Sequence, residues 1–178
     1  MCRFINIIVP ANIDTETIAS LLSKHALGCR FVENNFLIRQ IEKHGILINT
    51  TVNHCDCGSV IASDVHNAKG DELAKDLERL RKKGWSETKI HNWVANKTKA
   101  NEKEKEREAE RDHWMRFLHE AIMENNTRWV GLFIHDYKKN LESEEFRFVG
   151  KEKIRVSEIN NYTLEKLRLD VLYNFVPV

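Results

Sequence analysis

Apolar positions change period several times along this chain, and those changes mark its elements. "RFINIIVP" (3–10) is a continuous Ile/Val-rich run closed by Pro10, which predicts a buried strand. Asp14 then stands as a helix N-cap, with Ile18, Leu21, Leu22 and His25 at helical spacing. Gly28 follows that pattern in the position of a C-terminal stop. "NFLIRQI" (35–41) fits helix or strand, whereas "GILINTTV" (45–52), rich in β-branched residues, predicts a strand.

The middle of the chain reads as helical. Leu73, Leu77 and Leu80 line one face of "DELAKDLERLRKK", and Gly84 ends it. Ser86 caps a second helix whose apolar stripe is Ile90, Trp93 and Val94. "EKEKEREAERD" (102–112) holds ten charged residues in eleven, and the stripe resumes at Trp114, Phe117, Leu118, Ala121 and Ile122. With no Gly or Pro from 85 to 126, one long helix is expected, solvated in its middle and packed at its ends. No sustained heptad crosses the charged stretch, which argues against a coiled coil there.

Strands then return. "RWVGLFIHDY" (128–137) is apolar on both faces, as a central strand is. Trp129, Phe133, His135 and Tyr137 share one of those faces, more a core stripe than a ligand pocket. "EEFRFVG" (144–150) and "KIRVSE" (153–158) suggest two short strands with a turn near Gly150, "TLEKLRLD" (163–170) a helix and "VLYNFVPV" (171–178) a closing strand. The expected fold is α+β. A mixed or antiparallel sheet is built from N- and C-terminal strands, with an inserted helical hairpin and one long charged helix. One domain spans 1–178, in a β-α-β part (1–65), a helical insert (70–125) and a β-rich part (128–178).

Composition narrows the function classes. At 178 residues and net charge +1, no global field selects nucleic acid or an anionic membrane. No apolar run reaches membrane-spanning length, and "FINIIVPA" is too short and interrupted for a secretory signal. A cytoplasmic protein with reduced thiols is expected. P-loop, G-x-G-x-x-G, G-x-S-x-G and H-E-x-x-H motifs are all absent, which takes most of the support from nucleotide-dependent, serine-hydrolase and zincin chemistry.

Candidate chemistry concentrates in "NHCDCGS" (53–59), where His54, Cys55, Asp56 and Cys57 adjoin, and in Cys2. Three readings stand: structural burial, a zinc site, and a reactive thiol. Zinc would take Cys2, Cys55 and Cys57 with His54 or Cys29. On an extended strand Cys55 and Cys57 would be about 6.6 Å apart at Cα, wider than the sulfurs on one ion, so the backbone must curl. A reactive Cys55 or Cys57 would need stabilisation from a group such as His54, His66 or His135. Cys2 reaches the pair only if the first strand and the 45–52 strand are antiparallel neighbours.

Two resemblances bear on these cysteines. "MCRF" resembles the opening of class II glutamine amidotransferases, which implies Cys2 as an N-terminal nucleophile once Met1 is removed. The combination of "MCRF" with "HCDCGS" resembles a family of uncharacterised bacterial proteins. That second likeness implies no activity, only that the two cysteine regions belong together.

One further segment, 79–99, has seven Lys or Arg against one Glu with Trp85 and Trp93 interleaved, in helix-turn-helix order. Arg79, Arg81, Lys82, Lys83 and Lys89 are its candidate phosphate contacts, although a solvated αα-hairpin has the same pattern. The functional expectation is a non-enzymatic binding or regulatory protein with a structural or zinc-binding cysteine cluster. A thiol-dependent hydrolase or transferase and a nucleic-acid-binding module are the alternatives, and the packed helix ends would also suit a homo-oligomer.

Overall fold

Strand β1 (Cys2–Pro10) has neighbours on both sides, both antiparallel. It pairs with β3 (Gly45–Asn49) from Asn6↔Asn49 to Pro10↔Gly45, and with β4 (Val130–Tyr137) from Cys2↔Tyr137 to Ile8↔Gly131. The short β2 (Arg30–Phe31) edges β3, while β6 (Val171–Val176) lies antiparallel to β4 and parallel to the edge strand β5 (Gly150–Arg155). The order is β2-β3-β1-β4-β6-β5, a mixed sheet drawn from both ends of the chain. The computed structural model describes residues 2–41, 45–61, 79–124 and 127–178. Two expectations fall outside them: the Leu73/Leu77 face of the first inserted helix, and His66.

Both faces of the sheet are covered, which is why β1 and β4 lack polar alternation. Ile5, Ile7 and Val9 face a core made with Ile18, Leu21 and Leu22 of α1 (Thr15–Lys24). Trp114, Phe117 and Leu118 of α3 (Glu87–His119) join them, followed by Ala121 and Ile122 of a π-helical turn (Glu120–Glu124). On the other face Ile8 packs with Leu37 of α2 (Asn35–Ile38), Trp129, Phe133, Tyr137 and Leu141. The aromatic stripe of β4 is therefore core. It is roofed largely by an irregular segment that brings in Phe146 and Phe148.

By contacts the chain forms two compact units, residues 1–63 with 110–178, and residues 64–109. In the smaller unit Gly84 adopts φ +73°, a left-handed turn that glycine tolerates, and Leu80 and Ile90 are buried. Helix α3 is continuous from Glu87 to His119, as the absence of Gly and Pro predicts.

Local readings fail in three places. The 144–150 strand does not form. Instead the Gln40 side chain donates to Phe146 O (2.8 Å) and accepts from Phe148 N (3.2 Å), standing in for a neighbouring strand, and Gly150 opens β5 rather than a turn. The 163–170 helix is shorter and earlier, as α4 (Asn161–Glu165) capped by Asn160. Gly28 does not stop α1. Ala26 takes the left-handed position (φ 56°), with Leu27 N donating to Leu22 O (2.9 Å).

Gly28 serves close approach. Its N–H donates to Thr50 O (2.8 Å), and a Cβ there would lie 2.4 Å from Thr51 O. Gly28→Ala is expected to cost about 1–3 kcal/mol by forcing backbone apart. Ala26→Gly is expected to be neutral or stabilising by about 1 kcal/mol through relief of the left-handed alanine. Urea unfolding of both variants checks the pair. Equal losses would mean the helix stop had been placed wrongly.

Candidate functional site

The site arises where β3 leaves β1. Pairing between the two strands ends at Asn6↔Asn49, with one more bond from Thr50 N to Ile5 O (3.1 Å). The N–H groups of Arg3 and Ile5 still point to that side, because alternate residues of a strand do. A loop fills the gap. Asp56 N donates to Arg3 O (2.8 Å), Asp56 Oδ2 accepts from Ile5 N (2.8 Å), and Cys57 Sγ accepts from Arg3 N (3.3 Å). A carboxylate and a sulfur thus replace two strand carbonyls.

Asp56 also accepts from the Thr51 hydroxyl at 2.5 Å, and its own carbonyl receives Ser59 N (3.0 Å), so the loop curls as two nearby thiols require. Burial pushes the Asp56 carboxyl above its ordinary range, against the opposing hydrogen bonds from Thr51 and Ile5. Beyond Thr51 the polar chain continues into the sheet. Asn49 Nδ2 donates to Thr51 Oγ1 and Asn6 Oδ1 (both 3.1 Å), and Asn6 donates to the Tyr137 hydroxyl (3.4 Å).

The antiparallel neighbour relation on which a meeting of the thiols depends is present, and Cys2, Cys55 and Cys57 share one region. Cys57 is exposed, and its thiol is held below the usual value. The Arg3 backbone N–H is the main cause, followed by a hydrogen bond from the Cys55 thiol, with help from the Arg3 guanidinium against Asp136. Cys55 shifts the other way. The Cys57 backbone N–H favours its thiolate, but donation to Cys57 and the neighbouring charges of Cys57 and Cys2 outweigh that. Asp136 itself is tied to Arg3 at 2.9 and 3.2 Å, which keeps its carboxyl low.

No set of three His, Cys, Asp or Glu side chains suited to a metal ion occurs among the described residues, so the zinc reading gains no ligand set from this geometry. His54 is exposed beside the loop, and Cys29 lies exposed just before β2. His135 cannot serve the thiols. Its Nδ1 faces Asp170 Oδ1 at 2.5 Å, and its ring stacks on Phe146 with centroids 3.6 Å apart. Among the described residues no histidine hydrogen-bonds to Cys55 or Cys57, and the bond that reaches the Cys57 sulfur comes from the Arg3 amide. Sequence reasoning missed Arg3, Thr51 and Asp56 as partners. The available signal was a carboxylate between two cysteines, five residues after a threonine.

In the basic segment Arg79, Arg81, Lys82, Lys83 and Lys89 are all exposed. Arg81 pairs with Glu87 at 3.1 Å, and Lys89 Nζ sits 4.6 Å over the Trp85 ring. No helix among the described residues is long and apolar enough to cross a membrane. Comparison with known proteins finds no matching family model, no matching curated protein and no matching solved structure.

Asp56→Ala leaves Ile5 N without its acceptor and is expected to cost about 1–3 kcal/mol. Asp56→Asn keeps an oxygen for that N–H and sheds a partly buried charge, so it should lie within about 1 kcal/mol of the parent. Denaturant midpoints for the two variants test this. Asn as damaging as Ala would show that the charge, and not the acceptor, matters.

Proposed function

We propose that the chain is a thiol-based regulatory protein whose Cys57–Cys55 pair is reversibly oxidised. One observation carries the reading: the exposed Cys57 sulfur accepts the N–H of Arg3 on the central strand at 3.3 Å, with the thiol of Cys55 two residues away. Redox-responsive cysteines are accessible, low in pKa and placed beside a resolving thiol. Here one side chain has the first two properties and its neighbour supplies the third.

The chemistry needs an oxidant, taken here as a hydroperoxide. The Cys57 thiolate attacks the terminal peroxide oxygen, the O–O bond breaks, and an alcohol or water leaves after protonation. The resulting sulfenic acid is attacked by the Cys55 sulfur. An S–S bond forms, the S–O bond breaks, and water departs with the Cys55 proton. A reducing thiol reverses the disulfide. The Arg3 N–H loses its thiolate acceptor in that step, so oxidation alters the bonding of the central strand.

Alkylation resolved by residue against pH tests the proposal. The Cys57 thiolate persists down to its depressed pKa and is lost as pH falls through it. Cys57 should therefore react first, with a midpoint below the ordinary thiol value of about 8.5, and Cys55 with a midpoint above it. Peroxide should remove two hydrogens within one chain, and in Cys55→Ser a sulfenic acid on Cys57 should be trapped instead. Four thiols that alkylate alike, or peroxide treatment that leaves Cys55 and Cys57 reduced, would overturn the reading.

A further inference from the structure

A second site lies within the larger unit. A cavity of about 580 Å³ is walled by Lys24 and His25 at the end of α1, by α3 and the π turn, and by Val156 and Ile159. That volume falls within the roughly 300–1,000 Å³ of small-molecule sites. From α3 and the π turn come His113, Met115, Arg116, His119, Glu120 and Glu124. The wall therefore combines an apolar side with a dense set of donors.

The wall carries two cations, Lys24 and Arg116, and two carboxylates, Glu120 and Glu124, but one of each is already tied to the other. Both oxygens of Glu120 are engaged, Oε1 with Lys24 Nζ at 2.5 Å and Oε2 with His25 Nε2 at 2.8 Å. Those bonds hold the Glu120 carboxyl below its usual range and consume its charge. His25 is itself buried and stands edge-on to Phe117. His113, Arg116 and His119 make no side-chain hydrogen bond or ion pair among the described residues, and they recur at three-residue spacing on α3. Three donors are thus left facing the cavity against the single carboxylate of Glu124.

The end of a helix is ordinarily unfavourable for an anion, but that effect fades within the last turn. Here helical backbone continues through the π turn to Glu124, well past His113 and Arg116. Such π turns are frequent at functional sites, and this one begins at Glu120. Arg116 supplies a planar fork matched to carboxylate or phosphate oxygens. Met115, Val156 and Ile159 supply an apolar surface for the remainder of the molecule.

We infer that this cavity binds a small organic anion, a carboxylate or phosphomonoester carrying an apolar group, with Arg116, His113 and His119 on the anionic head. Calorimetric titration of the full chain under reducing conditions, with benzoate, phenyl phosphate and inorganic phosphate, tests it independently of the thiols. Saturable one-site binding of benzoate or phenyl phosphate is expected, tighter than inorganic phosphate, and the better of the two identifies the head group. Arg116→Gln and the double variant His113→Gln/His119→Gln should each weaken it about tenfold or more with unchanged unfolding midpoints. Absence of saturation by either aromatic anion, or equal affinity in Arg116→Gln, overturns the inference. So does benzyl alcohol binding as well as benzoate.

Discussion

The hydrogen-bonding demand of β1 organises this molecule. A strand in mid-sheet must place every N–H and C=O, because an orphaned buried group costs about 1–3 kcal/mol. β4 satisfies one side over seven register positions, from Cys2 to Ile8. On the other side β3 serves only Asn6 to Pro10, Thr50 N meets Ile5 O, and the N–H and C=O of Arg3 and the N–H of Ile5 fall to the Asp56–Cys57 loop. Gly28 belongs to the same arrangement, since its contact with Thr50 and Thr51 lies where β3 turns away. The thiol region is therefore a substitute for a missing length of strand.

The opposite side of the sheet repeats the device with other chemistry. Among the described residues no strand pairs with residues 146–148, and the Gln40 amide meets Phe146 O and Phe148 N instead. That anchor lets Phe146 lie flat on His135 while Asp170 holds the other side of the imidazole, so one histidine fastens three segments. Glu144 Oε1 is 3.7 Å from His135 Nε2, adding a second carboxylate to the buried ring. Asp170 adopts φ 60°, a strained conformation for a residue with a side chain, where its N–H meets Ile134 O and its C=O receives Val149 N. The aromatic face of β4 is thus closed over at His135 and Tyr137, both of which are buried.

What was legible in the chain follows from what repeats. β1, α1, β3, α3, β4 and β6 carry periodicities of several residues, and the N-cap at Asp14 has a side chain that declares itself through Thr17. Elements whose partners are side chains left no such trace. The alternation in "EEFRFVG" looks like a strand, because a strand neighbour and a Gln40 amide make the same demand of Phe146 and Phe148. Gly28 looked like a helix stop because close approach and positive φ select the same residue. In the candidate site the cysteines were visible by composition, but the bond from Arg3 N depends on contact across fifty-four residues. Only the strand order supplies that, and the same holds for the meeting of Lys24 and His25 with Glu120.

On the proposed reading a reactive sulfur sits in a structural hydrogen bond, which couples its chemistry to the fold. A thiolate accepts a strand N–H well, and a disulfide sulfur or sulfenic acid accepts it less well, since charge strengthens the bond. Total stabilities are about 5–15 kcal/mol, so weakening one bond on a central strand is a sizeable fraction. The effect concentrates on the Asp56 loop, because the rest of β1 is held by β3 and β4. On the proposed reading the loop is the element that responds, while the sheet beneath it keeps its register. The polar file from Asp56 through Thr51, Asn49 and Asn6 to Tyr137 links that loop to the sheet interior. Every member apart from Asp56 is a neutral side chain, so the file joins the loop to the sheet interior without burying a further charge.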